Sequence, residues 1–188
     1  LEQITHNGSF FYYNSFFVLV VNALSPELVV ELGEGMLKRA HKRMPDRPLY
    51  VGVGSQVTDI ENLSVSYRRA EAAALRAMWT KTSLLRFEEM GIYRLLYSCT
   101  DTGLLAEMQQ ETLSVLEEHD RRHNSNYVET LKCYLELDGS IQAMAQSMFT
   151  HRNTIIYRMN NIKKLLGTEF ATPAERLPYQ IAFYIRGM

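Results

Sequence analysis

Between Gly139 and Thr168 the chain has no acidic residue, and its apolar side chains there recur at helical spacing. In the last part of this stretch Ile155, Met159, Ile162 and Leu166 form one narrow stripe at about 100° per residue, flanked by Ile156 and Leu165. Ahead of it Ile141, Met144, Ala145 and Met148 follow the i, i+3, i+4, i+7 rule, with Ser140 placed to cap. Phe149-Thr150 breaks the two periodic runs, and Thr150 stands where a cap for the second helix is expected. Gly167 is a usual helix stop. A third helix, over residues 127–137, precedes these two and stops at Asp138-Gly139. The pattern dictates a compact helical unit with a helix-turn-helix at 140–166.

The last helix carries its polar residues with a purpose. Asn153, Tyr157, Asn160 and Lys164 lie opposite the apolar stripe, Thr154 and Asn161 border them, and Arg152 and Arg158 flank the helix. With Lys163 and Lys164 that concentrates four cations on one short helix of a protein whose formal net charge is -1. Any nucleic-acid site must therefore be a local patch rather than a global field. Arg and Lys neutralise phosphates, while Asn and Arg make bidentate hydrogen bonds to base edges in a major groove. A charged amphipathic helix is more often a plain solvated surface. Asn153, Asn160 and Asn161 weigh against that here, because they are mediocre helix formers and add no charge. The residues expected to meet DNA are Arg152, Asn153, Thr154, Tyr157, Arg158, Asn160, Lys163 and Lys164. Arg152, Asn153 and Tyr157 are expected at or near bases; Thr154, Arg158, Lys163 and Lys164 are expected on phosphates.

Upstream the pattern differs. Residues 10–21 are aromatic and β-branched, broken at Asn14-Ser15, and read as two short strands with a turn or as one irregular strand. Ser25-Pro26-Glu27 starts a helix that ends in the basic cluster Lys38-Arg39 and Lys42-Arg43 before Pro45. Residues 49–57 read as a strand, 65–79 as an alanine-rich helix and 84–87 as a short strand. The order β-α-β-α-β implies a sheet layer with helices packed on it. After Gly91 no strand pattern recurs, and the acidic run 101–120, without Lys or Arg, reads as one or two solvated helices. The fold class expected is α+β: an α/β part over 1–97, then an all-α part over 98–188.

The composition, 46% hydrophobic and 22% charged, is that of a globular protein. The longest apolar run, residues 16–21, is too short to span a bilayer, and no signal peptide is read at the start. Cys99 and Cys133 fit no metal motif and read as ordinary thiols in a reducing cytoplasm. His119 and His123 lack a third ligand at convincing spacing. Gly52-Val53-Gly54 is no phosphate loop, since it lies within an apparent strand and has no Lys-Ser/Thr after it, while Gly33 and Gly35 read as packing positions. No cofactor, metal or catalytic set is implied. The chain starts at Leu1 and reads as a piece of something longer.

The string His151-Arg152-Asn153-Thr154-Ile155-Ile156-Tyr157-Arg158 resembles the C-terminal helix-turn-helix of the PucR/CdaR family of bacterial transcription regulators, with likeness extending over about 113–185. Tyr13-Asn14-Ser15-Phe16-Phe17-Val18-Leu19-Val20 resembles the hairpin of GGDEF-type domains. Residues 49–57 resemble the next strand of that fold, and Ala70-Glu71 with its alanine-rich surroundings resembles the helix after it. The glycines and carboxylates of the GGDEF signature are replaced here, so the resemblance implies a partial, degenerate and catalytically silent domain. Together these imply a cytoplasmic regulator that is not an enzyme. It would bind double-stranded DNA as a homo-oligomer, and its small-molecule effector would be held by an upstream domain. The competing reading is a helical protein-interaction module joined to a nucleotide-binding or signalling GGDEF-like domain.

Overall fold

The computed structural model describes residues 8–22 and 25–188. The chain divides into two compact units, Leu1–Ser98 and Cys99–Met188.

The first unit opens with an antiparallel hairpin, β1 (Gly8–Tyr13) and β2 (Phe16–Val21), in which Tyr13 pairs with Phe16 and Phe10 with Leu19. The turn residues Asn14 and Ser15 both have positive φ, 47° and 68°, the backbone that matches the right-handed twist of a two-residue hairpin. Helix α1 (Pro26–Arg43) begins as its sequence dictates: Ser25 accepts from the Leu28 amide and Pro26 occupies the first turn. Strand β3 (Val51–Val53) pairs in parallel with β4 (Leu84–Arg86) across helix α2 (Leu63–Thr80). Helix α3 (Tyr93–Ser98) closes the unit.

The expected single layer is corrected on two points. The strands form two separate two-stranded sheets, and β3 keeps three residues of the nine expected. The glycines explain the second point. A Cβ on Gly52 would lie 2.1 Å from the Ala70 carbonyl oxygen, and one on Gly54 would lie 2.2 Å from that of Ser66. Both glycines serve the close approach of α2, whose Ala72, Ala73, Ala74 and Ala77 are buried. A Cβ on Gly33 would likewise lie 2.8 Å from Leu84, whereas Gly35 meets only the end of the Arg39 side chain, so the packing role expected of Gly35 does not hold.

The second unit is helical throughout. The acidic run forms one helix, α4 (Thr102–His123), whose N-cap Asp101 accepts from the Leu104 amide at 3.0 Å. Helices α5 (Tyr127–Glu136), α6 (Ile141–Ser147), α7 (Arg152–Leu166) and α8 (Pro173–Arg186) complete it. Leu113 and Leu116 of α4, Leu131 of α5, Met144 of α6, Ile155 and Ile162 of α7 and Ala182 of α8 are wholly buried, with Phe170 from the α7–α8 connection. Cys99 and Cys133 are both free, and burial pushes the Cys133 thiol up, as suits an inert core residue. Among the described residues, no helix is long and apolar enough to cross a membrane.

Candidate nucleic-acid interface

Helix α7 buries Ile155, Met159 and Ile162 and turns the other face outward. Arg152, Asn153, Thr154, Tyr157, Asn160 and Lys164 are exposed; Arg158 is half-buried. Asn153, Tyr157, Asn160 and Lys164, spaced by four, three and four residues, form one polar ridge along the exposed side. The eight residues expected to meet DNA therefore lie on one helix, with Lys163 the exception in its surroundings. It is half-buried, and its Nζ is 3.0 Å from Glu169 Oε2.

The ion pairs single out this surface. Within Cys99–Met188 the basic side chains Arg121 and Arg122 pair with Glu118, Lys132 with Glu136, Lys163 with Glu169, Arg176 with Asp138 and Arg186 with Glu117. Among the described residues of this unit, Arg152, Arg158 and Lys164 are the Arg and Lys side chains without a carboxylate partner, and all three are on α7. Uncompensated cations beside a ridge of amides and a phenol form a surface complementary to a polyanion with hydrogen-bonding edges.

The turn leading into α7 departs from expectation. His151, not Thr150, is the N-cap: its Nδ1 accepts from the Asn153 amide at 3.2 Å, while the Thr150 hydroxyl donates to the Met148 carbonyl. A histidine cap is uncommon, and ranking cap residues by preference selects the neighbouring threonine instead. The other boundaries match the sequence. Ser140 accepts from the Ala143 amide, and Gly167 ends α7 at φ 64°.

Asn161, expected to border the polar face, points inward. Its Nδ2 donates to Tyr127 Oη at 3.0 Å, linking α7 to the start of α5. That start is itself held from α4: the Asp120 carboxylate accepts from the Tyr127 and Val128 amides at 2.7 and 2.9 Å and from Ser125 Oγ at 2.7 Å. The hydroxyl of Ser125 gives its one proton to Asp120, so the 2.7 Å contact with His119 Nδ1 requires that nitrogen to donate. The His119 ring stacks on Tyr127 at 4.5 Å. His119 is thereby engaged in holding α5, and among the described residues no three His, Cys, Asp or Glu side chains gather to hold a metal. Sequence reasoning misses this relay because Asp120, Tyr127 and Asn161 lie on three helices and share no local pattern.

The PucR C-terminal helix-turn-helix domain family matches residues 127–185, the span from α5 to the end of α8. The chain is 27% identical over 158 residues to the DNA-binding transcriptional activator AdeR of Bacillus subtilis, covering 80% of this chain and 36% of that protein. It is 25% identical to the proline-responsive transcriptional activator PutR of the same organism, covering 72% of this chain and 34% of that protein. The purine catabolism regulatory protein of Bacillus subtilis is 35% identical over 78 residues, covering 42% of this chain and 12% of that protein. The chain thus spans about a third of the length of the first two relatives. The match over residues 127–185, with the helix-turn-helix on α6 and α7, thus identifies this part of the chain as a helix-turn-helix domain of the PucR C-terminal type.

Proposed function

We propose that α7 is the recognition helix of an operator-binding transcription regulator that acts as a homo-oligomer in the cytoplasm, its effector bound outside this chain. The observation that carries this reading is the restriction of the unit's uncompensated cations to α7, beside the exposed ridge Asn153, Tyr157, Asn160 and Lys164. A recognition helix enters the major groove by its N-terminal residues, which here are Arg152, Asn153 and Thr154. Asn153 and Arg152 suit adenine and guanine edges; Arg158 and Lys164 suit phosphates. Lys163, tied to Glu169, is the weakest of the eight candidates. A single helix-turn-helix makes few base contacts, so pairing of two modules on repeated half-sites supplies the affinity.

The first unit is read as a degenerate GGDEF-like unit that packs or relays rather than catalyses. Its hairpin turn and its parallel β3–β4 pair with α2 as crossover support this. Asn14, Ser15 and Phe16 stand where the signature has glycine and carboxylates, leaving nothing there to hold a metal–nucleotide pair.

The test is a gel-shift series with the full chain on duplexes covering the DNA that flanks its own gene, against scrambled duplexes. Asn153→Ala is expected to cost about 1–3 kcal/mol on the preferred duplex and to relax discrimination at one base pair. Equal binding of wild type to preferred and scrambled DNA, or no loss with Asn153→Ala in a folded protein, would move the reading to a protein-interaction module.

A further inference from the structure

The turn between α6 and α7 holds a residue whose conformation and exposure both cost free energy without any return inside the chain. Phe149 has φ 49°, the left-handed region that a bulky L side chain rarely adopts. It occupies the position just beyond the α6 C-cap Met148: its amide donates to the Gln146 carbonyl and that of Thr150 to the Ala145 carbonyl, at a helix end normally completed by glycine. The residue is 97% exposed.

Phe170 provides the internal control. It too is a phenylalanine at positive φ, 55°, but it is wholly buried, packed edge-on to Tyr179 at 5.1 Å and tilted against Tyr134 at 5.8 Å. Burial of a ring that size offsets the backbone strain. Phe149 has the same strain and none of the burial, so folding alone leaves this side chain unexplained.

Its position supplies an occupant. Phe149 lies three residues ahead of the first residue of α7, its Cα therefore within about 11 Å of that of Arg152. It precedes the exposed His151, Arg152 and Asn153, in a stretch without acidic residues between Gly139 and Thr168. The chemistry at this end of the helix is cationic and amide-bearing, and the apolar Phe149 side chain is held in solvent just ahead of it. A major groove offers one apolar feature to match it, the 5-methyl group of thymine.

We propose that Phe149 is a specificity-determining contact that reads a thymine methyl in the major groove at the N-terminal end of α7. The assignment rests on α7 being the DNA-reading helix. The left-handed backbone at Phe149 makes the turn between α6 and α7 and leaves the side chain in solvent just ahead of the first residue of α7.

The experiment begins with selection of a preferred duplex from a random-sequence library by the full chain. Each thymine of that duplex is then replaced in turn by deoxyuridine, which removes only the methyl. Wild type is expected to weaken at one or two positions. Phe149→Gly and Phe149→Asn, both compatible with the left-handed turn, are expected to bind the thymine duplex about tenfold more weakly. Both are also expected to lose discrimination between thymine and uracil at those positions. Their thermal midpoints should equal or exceed that of wild type, since glycine and asparagine relax the backbone. A fall in affinity with no fall in stability is what a merely structural residue would not produce. Wild-type affinity in the variants, or an unchanged response to deoxyuridine, overturns the assignment while leaving DNA binding intact. Failure of the library to enrich any duplex overturns the DNA-reading interpretation of α7 itself.

Discussion

The two units of this chain solve the problem of burial in opposite ways. In Cys99–Met188 large side chains from α4, α5, α6, α7 and the α7–α8 connection, Leu113, Leu116, Leu131, Met144, Ile155, Ile162 and Phe170, are all excluded from solvent. In the first unit the buried set is dominated by alanines of α2 with Phe87 and Met90, and the hairpin keeps Phe10, Phe11, Tyr12, Tyr13 and Phe17 exposed. Tyr13 meets Tyr67 of α2 edge-on at 5.3 Å, while Phe10 and Phe17 stack on each other at 5.8 Å. The helical unit is held by volume packed against volume, the first by close backbone approach at Gly52 and Gly54. The proposed recognition helix gains from the first arrangement, since an interlocked core holds the exposed ridge of α7 in one orientation.

The sharpest way to break this contrast is a pair of truncations. Leu131→Ala is expected to destabilise the protein by about 2–5 kcal/mol, through lost transfer energy and the cavity left behind. Phe17→Ala, at a position 75% exposed, is expected to cost about 1 kcal/mol or less. Urea unfolding monitored by circular dichroism measures both. Similar losses for the two variants would show that the hairpin is as tightly integrated as the helical core.

Tyr127→Phe sharpens the contrast inside the helical unit. It keeps the stack on His119 but removes the acceptor of Asn161 Nδ2, with an expected stability cost of about 1 kcal/mol. If the relay from Asp120 through Tyr127 to Asn161 sets the pose of α7, DNA affinity falls with it, and adding Asn161→Ala costs less than the sum of the single changes. Strict additivity in DNA binding would show that Tyr127 and Asn161 act separately.

The smallest effect separates two adjacent lysines. Lys164→Ala is expected to lower the slope of log affinity against log salt by about one, for preferred and random duplexes alike. Lys163→Ala is expected to change it less, because Lys163 is already paired with Glu169. Equal slopes for the two variants would remove the distinction that the ion pairs draw along α7.

The helical unit is legible in the sequence because its signals are local. Ser140 and Gly167 bound α6 and α7, and the stripe Ile155, Met159, Ile162 and Leu166 points to the core; each needs only the 3.6-residue period and the capping chemistry of neighbouring residues. The first unit is legible in element order and not in pairing. Whether two hydrophobic runs share a sheet depends on partners far along the chain, and residues 49–57 keep only Val51–Val53 as strand because the glycines serve α2 rather than a ladder.

By itself the sequence determined the outward ridge Asn153, Tyr157, Asn160 and Lys164 of α7 and that no acid neighbours it along the chain, for these come from spacing and residue type. Tertiary structure decided what the rest of that surface is worth. It tied Lys163 to Glu169, turned Asn161 toward Tyr127, made His151 the cap in place of Thr150, and buried Phe170 while leaving Phe149 in solvent at nearly the same backbone angle. Each of these depends on where a distant or turning segment brings its atoms, and a one-dimensional pattern holds periodicity but not the distance between helices.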